Sequence, residues 1–161
     1  PIIFLSKLKV LDLIEKEFKK IILPKAVYNE LTKDKNYNQN IEYIKKCKEL
    51  FDIRKVHNLK KYDFELHKGE NEAIVLAINE NCSKIFLDDY KARQIAKIHN
   101  LKVTGTIGIL VRLLKKGYFD YDKFEKHFQE LISYDFRIDI KTYNYILSYA
   151  KNIYKNLINK Q

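Results

Sequence analysis

Acidic side chains recur in this chain at points where predicted elements of secondary structure meet. Glu70 and Glu72 stand at the start of a predicted helix, and Asp88 and Asp89 directly follow the short apolar run at residues 85–87. Carboxylates without cysteine or histidine neighbours suit hard cations such as Mg²⁺ or Mn²⁺. Such an ion orients and activates water and neutralises charge that develops on a scissile phosphate. Because ligands of open α/β sheets bind at the carboxyl ends of strands, these residues predict a site for phosphoryl chemistry.

Each acidic pair also has a purely structural interpretation. Asp88 and Asp89 could form a turn or cap a helix that begins at Tyr90, and acids are stabilised in the first turn of a helix by its dipole. Successive residues of a helix rotate by about 100°, so Glu70 and Glu72 point about 200° apart and cannot easily share one ligand. The dipole accounts for one of these glutamates. It does not account for two acids at the head of so apolar a helix.

Strand and helix patterns alternate along the chain, which predicts βαβ crossovers and a parallel sheet. The predicted strands are short and lie at 20–23, 53–56, 85–87 and 102–104. Two short helices precede the first strand, and later helices begin at or near residues 24, 41, 69, 90, 106, 121 and 139. Glu30 lies near the end of the helix opened by Pro24, and residues 36–40 form an Asn-rich loop. Thr106 is predicted to cap a helix that terminates at Gly117.

The composition indicates one folded domain over residues 1–161, with 46% hydrophobic and 13% aromatic residues and enough length to bury a core. Cys47 and Cys82 stand alone, and the four histidines are scattered, so neither a zinc site nor a disulfide framework is supported. No apolar stretch reaches the length of a membrane span, and no signal-peptide pattern precedes the domain. We therefore expect a cytoplasmic protein that makes no contact with membranes.

The charge balance allows two explanations. The chain has 31 Lys and Arg residues against 21 Asp and Glu residues, a formal net charge of +10. Such an excess favours a polyanionic partner, because basic side chains contact phosphates and release counterions. Abundant Lys, Glu, Ile and Tyr without Met or Trp is also typical of a thermophile or an AT-rich genome. Both explanations remain open at this point.

An ordered set of motifs runs through nearly the whole chain. They are the opening Pro-Ile-Ile-Phe-Leu, Leu-Pro-x-x-Val-Tyr-x-Glu-Leu from Leu23, Gly-Glu-x-Glu-Ala-Ile from Gly69, Leu-Asp-Asp-x-x-Ala-Arg from Leu87, Val-Thr-Gly-Thr-Ile-Gly-Ile-Leu from Val103, Gly-Tyr-Phe at 117–119 and Phe-Arg-Ile at 136–138. Each piece alone is weak, but the ordered set is specific. It resembles the PIN-like domains of the DUF3368 group, relatives of the VapC toxin ribonucleases.

The resemblance implies an α/β/α sandwich on a central parallel sheet and a Mg²⁺- or Mn²⁺-dependent ribonuclease that cleaves single-stranded RNA. It also implies a toxin of a toxin–antitoxin pair or a related RNA-processing enzyme, with an antitoxin protein as partner, and a homodimer. Carried over position by position, the catalytic acids are Glu30, Glu72, Asp88 and Asp89, of which Glu72, Asp88 and Asp89 hold the metal. The supporting residues are Glu70, Arg93 and Thr106.

The chain departs from the family pattern at its start. In the family, a strand that ends in an aspartate, followed by small polar residues and a Pro, begins the domain, whereas this chain begins at that Pro. With this first strand missing, we expect an impaired site and an exposed gap in the sheet that another chain could fill. The aspartate can be sought in the codons upstream of Pro1: its presence supports an endoribonuclease, and its absence supports a degenerate PIN-like module that binds RNA or a protein.

Two other enzyme classes place acids at strand ends. A Toprim-type phosphotransfer domain joins a Glu to strand-end aspartates, but its Asp-x-Asp spacing is missing because Tyr90 follows the adjacent pair. A response regulator carries its acidic pair on the first strand and has a Lys after the Thr of a late strand, and this chain has neither feature. The PIN-like interpretation therefore accounts for the motifs best.

Overall fold

A computed structural model describes residues 1–33, 38–59, 62 and 64–159, in which helices and strands alternate as predicted. The helices are α1 (Ile2–Lys7), α2 (Leu11–Phe18), α3 (Lys25–Lys33), α4 (Asn38–Lys46), α5 (Lys68–Asn79), α6 (Tyr90–Ile98), α7 (Thr106–Lys115), α8 (Tyr121–Ser133) and α9 (Ile140–Ile158). The strands are β1 (Ile21–Pro24), β2 (Phe51–Arg54), β3 (Lys84–Phe86) and β4 (Lys102–Thr104). This mixed α/β architecture with parallel strands confirms the predicted fold class.

The four strands form two separate parallel pairs. β1 pairs with β2, placing Ile21 opposite Phe51, and β3 pairs with β4, placing Lys84 opposite Lys102. Each connection within a pair runs through helices, as parallel pairing requires. Among the described residues, β1 and β3 each keep one edge without a strand partner. The expected gap in the sheet is therefore present.

The gap between the two pairs is an apolar cavity of about 880 Å³. Its walls come from β1, from β3 and from the inner face of α5. Phe18 of α2 contacts Phe86 of β3 edge-on, with ring centroids 5.1 Å apart. Aromatic pairs in this arrangement stabilise the wall beyond simple burial. The carboxyl ends of β1 and β3 both open onto this cavity.

The chain divides into two compact units, residues 1–106 and 107–161, which we call the N-terminal and C-terminal units. In the N-terminal unit, one core cluster joins Ile74 and Ala77 of α5 to Ile85 of β3. Ala92 and Ala96 of α6 are fully buried in this cluster. Because they lie one turn apart on one face and have small side chains, α6 packs closely on the sheet. Along the described part of the chain, no helix has both the length and the hydropathy that crossing a membrane would require.

The C-terminal unit is helical. Phe124, Phe128 and Leu131 lie on one face of α8 and are fully buried. The ring of Phe128 stacks on Tyr143 of α9, with centroids 4.9 Å apart. His127 is buried beside Glu130, and this burial lowers the pKa of the imidazole. Tyr143 and Ala150 thus face inward, and α9 is anchored through this side.

Three predicted features differ from the structure. Residues 36 and 37 of the predicted loop lie outside the described residues, and residues 38–40 are the first turn of α4, so the loop prediction is wrong there. β2 begins two residues earlier than predicted, because Phe51 is buried and already pairs with Ile21. Thr106 was predicted to cap α7. It is instead the first residue of that helix, and its hydroxyl contacts Asp88. The predicted end of this helix is confirmed, since Gly117 has φ +72°, which favours glycine.

Candidate functional site

Asp88 is held at the carboxyl end of β3 by two hydrogen bonds from Thr106. The N–H of Leu87 donates to the Thr104 carbonyl, which carries the pairing with β4 one residue beyond β3. The backbone N–H of Thr106 then donates to Asp88 Oδ1 over 2.7 Å, and its hydroxyl donates to Oδ2 over 2.6 Å. Thr106 is fully buried. Hydrogen bonds to an ionised carboxylate are strong, so this pair orients Asp88 firmly.

The amino nitrogen of Pro1 lies 3.1 Å from Asp88 Oδ2, so the start of α1 is at the same edge. The Asp88 side chain is 20% exposed. A carboxylate has about four lone-pair positions, and Thr106 donates to two of them. Thr106 therefore leaves positions on this carboxylate for a further ligand.

Gly105 permits the close approach of Asp88 to the end of β4. A Cβ built on Gly105 would lie 2.9 Å from Asp88 Oδ1 and 3.4 Å from the Leu87 carbonyl oxygen. Contacts below 3.0 Å are not tolerated, so any side chain at this position would displace the carboxylate. Nη1 of Arg93 lies 3.9 Å from the same point. Of the three predicted supporting residues, Thr106 thus contacts Asp88 directly, and Arg93 lies beside Gly105.

Asp89 caps the following helix. Its Oδ1 accepts a hydrogen bond from the backbone N–H of Ala92 over 2.8 Å, which satisfies one of the unpaired donors at the start of α6. The capping interpretation of the acidic pair is thus confirmed for Asp89, whereas Asp88 has the tertiary contacts. Asp89 is exposed and still lines the cavity. It therefore combines a structural role with a position where its charge acts on the site.

Glu30 reaches the site from the last turns of α3. Its Oε2 lies 3.1 Å from the position that a Cβ on Gly69 would occupy. Gly69, near the start of α5, thus leaves room for this carboxylate. In the sequence, the Gly69-Glu70 motif indicated that the start of α5 is functional. It did not indicate that Gly69 makes room for Glu30.

The surroundings of Glu70 destabilise the charged form of its carboxylate. Burial raises the pKa of Glu70, and the charge of Asp89 raises it further, while His67 and the amino group of Pro1 lower it. A raised pKa means that the negative form is disfavoured unless a cation lies nearby. Titratable groups perturbed in this way are concentrated at functional sites. A second cavity, of about 370 Å³, is also lined by Glu70 and Asp89.

The large cavity brings four of the predicted acids together. Its described lining includes Glu30, Glu70, Asp88 and Asp89. Glu72 is not part of this lining and is buried, with 6% of its surface exposed. The two glutamates of α5 were expected to point apart, and it is Glu70 that reaches the cavity.

The acids match a hard cation in chemistry but are not gathered into a complete ligand set. In the parts of the chain described above, no group of three His, Cys, Asp or Glu side chains is placed to hold a metal ion. Carboxylate oxygens are the donors that Mg²⁺ and Mn²⁺ prefer, and Mg²⁺ usually takes only one or two of them, with water completing its shell. Asp88, whose carboxylate keeps lone-pair positions beyond those that Thr106 uses, fits such a role.

Basic residues also line the large cavity, namely Lys20, Lys68 and Lys84. Lys68 begins α5 next to Gly69 and Glu70, whereas Lys20 and Lys84 lie at the amino ends of β1 and β3, away from the acids at the carboxyl end. Positive charge of this kind attracts a polyanion.

Comparison with protein families produces one finding. The family model for DUF3368, described as a PIN domain, matches residues 1–152. The match includes every acidic residue of the cavity and extends through both units. Comparisons with curated proteins and with solved structures return no match for this chain.

Proposed function

The chain belongs to the DUF3368 family of PIN domains, whose fold is associated with nuclease activity and nucleic-acid binding, and we propose that it is a metal-dependent endoribonuclease acting on single-stranded RNA. A relation to VapC-type toxins is consistent with this family. The observation that carries the proposal is the cavity lined by Glu30, Glu70, Asp88 and Asp89, with Asp88 oriented by Thr106.

Asp88 is the central residue of the proposed mechanism. Its carboxylate is fixed by Thr106 and is kept in place by the absence of a side chain at Gly105. We assign to it the first contact with Mg²⁺ or Mn²⁺, together with Asp89 and one glutamate of α5. When bound, the ion supplies an activated water and neutralises charge on the phosphate.

The other residues position the RNA and tune the charge of the site. Arg93, beside Gly105, is placed to contact a phosphate oxygen bound near Asp88, because its guanidinium can donate two hydrogen bonds at once. Burial and the charge of Asp89 raise the pKa of Glu70, so a nearby cation would stabilise its charged form. Glu30 adds negative charge from α3.

The resemblance and the cavity favour different glutamates of α5. The family pattern assigns Glu72 to the metal, whereas the cavity is lined by Glu70. We propose Glu70 as the ligand in this chain and retain Glu72 as the alternative to be tested. The toxin role, an antitoxin partner and a homodimer are parts of the proposal that derive from the resemblance.

A second candidate function is a non-catalytic module that binds RNA or a protein. The absence of a three-residue metal group within the described residues favours it, as do the unpaired edges of β1 and β3. This module would bind RNA with a steep salt dependence but would not cleave it. The two functions therefore differ in one measurable property.

Cleavage of a fluorogenic single-stranded RNA with Mg²⁺, with Mn²⁺ and with EDTA tests the proposal. We expect cleavage that requires the metal and that falls about a hundredfold or more in Asp88→Asn, which keeps the size of the side chain and removes its charge. Asp120→Asn, which changes a helix cap in the C-terminal unit, is the matched control and should cleave normally. Equal cleavage by wild type and Asp88→Asn would contradict the proposal, and binding without cleavage would favour the module.

A further inference from the structure

The last helix of the C-terminal unit has an aromatic and basic composition that its packing does not require. Over 19 residues, α9 has four tyrosines and three lysines but no aspartate or glutamate. Tyr143 stacks on Phe128, and Ala150 is fully buried, so these residues anchor the helix. Tyr145 and Tyr149 lie elsewhere on its circumference, with 68% and 40% of their surfaces exposed.

Tyr145 and Tyr149 form a pre-arranged pair. They are one helical turn apart, and their rings are nearly parallel, with an angle of 9° and centroids 6.1 Å apart. A tyrosine ring has few rotatable bonds, so its face is presented at low entropic cost. The pair therefore offers flat apolar faces to solvent in a fixed orientation.

Basic side chains surround this pair. Nζ of Lys115, in α7, lies 3.0 Å from the Tyr149 hydroxyl and 5.3 Å from the centroid of its ring. Lys141 is exposed one turn before Tyr145 on the same helix. No acid lies within α9, whose N-cap is Asp139. The positive charges of Lys115 and Lys141 beside the rings are complementary to phosphate groups.

We propose that Tyr145 and Tyr149, together with Lys115 and Lys141, form a platform that binds single-stranded RNA by stacking on its bases. We call these four residues the tyrosine platform. Proteins bind single strands in this way, with aromatic faces under the bases and cations along the backbone. The bases of a duplex are already stacked and cannot use such faces. The platform rests on the proposed function in taking RNA as its ligand, and it adds a binding surface in the C-terminal unit.

The surroundings of the rings favour RNA over a protein partner. Exposed positions next to them on α9 are Asn144, Ser148 and Asn152. A helix that docks into a protein groove presents apolar anchors at i, i+3, i+4 and i+7. The exposed isoleucines of α9, Ile140 and Ile158, are instead at its two ends.

Binding of a fluorescein-labelled oligouridine, followed by fluorescence anisotropy in EDTA so that no cleavage occurs, tests the platform. We expect the double variant Tyr145→Ala/Tyr149→Ala to bind about tenfold or more weakly, because each stacked base contributes substantially. Tyr149→Phe keeps the ring and loses only the hydroxyl that contacts Lys115, so it should lose less affinity than the double variant does. Ile140→Ala removes exposed apolar surface from the same helix and should also bind like wild type. Circular dichroism melts check that each variant is folded.

An abasic oligomer of the same length separates base stacking from phosphate contacts. It should bind wild type and the double variant equally weakly. Unchanged oligouridine binding by the double variant would overturn the platform, and so would an equal loss of affinity for the abasic oligomer. A dimer lost in the double variant with RNA binding intact would show a protein interface instead. Metal-dependent cleavage by a protein whose RNA affinity is unchanged in the double variant would support the proposed function and overturn the platform. A loss of RNA affinity in the double variant of a protein that does not cleave RNA would support the platform and contradict the proposed nuclease.

Discussion

Thr106 donates both its backbone N–H and its hydroxyl to the carboxylate of Asp88, over 2.7 Å and 2.6 Å. The two residues come from the ends of neighbouring parallel strands and are 18 positions apart in sequence. This contact therefore ties the orientation of the central acid to the pairing of β3 with β4. A change in that pairing would move the acid.

Removing the hydroxyl of Thr106 should loosen this acid. Thr106→Val keeps the shape of the side chain and deletes one hydrogen bond to a charged group, so we expect the free energy of unfolding to fall by about 1 to 3 kcal/mol. Urea unfolding measures this. Thr32→Val is the control, because the hydroxyl of Thr32 donates only within its own helix, to the Tyr28 carbonyl. An equal loss in both variants would show that the Asp88 contact adds nothing.

A side chain at Gly105 should disable the site with little effect elsewhere. The Cβ of Gly105→Ala would lie 2.9 Å from Asp88 Oδ1, so the carboxylate must shift and RNA cleavage should fall by at least about tenfold. Gly117→Ala is the matched control. It has open space around its Cβ but φ +72°, so it should lose about 1 kcal/mol of stability and no activity. Cleavage that falls equally in both variants would point to general destabilisation.

Several features of the fold and site follow from the residues themselves, and others depend on tertiary contacts. The apolar run at 85–87 ends at acids, so the strand end at Asp88 was predictable. The capping role of Asp89 was also predictable, since it precedes a helix. The hydroxyl of Thr106 was expected to cap α7, but a partner 18 residues away takes it. The choice between Glu70 and Glu72 depends on how α5 is rotated against the sheet: Glu70 stands in its first turn, and Glu72 is the fifth residue of the helix.

The two roles of Asp89 can be separated. Asp89→Asn keeps a good helix cap and removes the charge, whereas Asp89→Ala removes both, at a cost of about 1 kcal/mol. We expect both variants to cleave RNA more slowly and only the alanine variant to be destabilised. Asp120 caps α8 in the same way, since its Oδ1 accepts a hydrogen bond from the Lys123 N–H over 2.8 Å. Asp120→Ala should therefore lose stability but keep its cleavage activity. Full activity in Asp89→Asn would limit Asp89 to capping.

Metal binding should distinguish Glu70 from Glu72. We expect Glu70→Gln to weaken Mn²⁺ binding, measured by isothermal titration calorimetry, more than Glu72→Gln does, because only Glu70 lines the described cavity. A larger loss of Mn²⁺ affinity in Glu72→Gln would instead support Glu72 as the metal ligand, as the family pattern implies.

The raised pKa of Glu70 also predicts a pH dependence without metal. The unfolded chain releases this proton at lower pH than the folded one, so the free energy of unfolding should fall as pH rises through the interval between the ordinary and the raised pKa. Glu70→Gln should remove this fall, and added Mn²⁺ should reduce it by stabilising the charged form. Urea unfolding across the acidic range measures both effects. A fall of equal size in Glu70→Gln would assign it to other groups.

The last prediction concerns the edges of β1 and β3 that have no strand partner among the described residues. Both edges face one apolar cavity, and the nitrogen of Pro1 lies at its acidic end, 3.1 Å from Asp88 Oδ2. A strand joined to Pro1 would therefore run parallel to β1 and β3 and end at the acids. We expect an extension made of an alternating apolar strand, an aspartate and a short polar link to raise the thermal unfolding temperature, because it buries apolar surface and pairs both edges.

The same extension should raise metal-dependent cleavage above that of the 161-residue chain, since its aspartate would add a ligand beside Asp88. The extension with Asn in place of that aspartate is the control. It should raise the unfolding temperature equally but leave cleavage low, so that sheet completion and metal binding are measured separately. Full metal-dependent cleavage by the 161-residue chain alone would show that its acids already suffice, and unchanged stability of both extended chains would show that the cavity does not accept a strand.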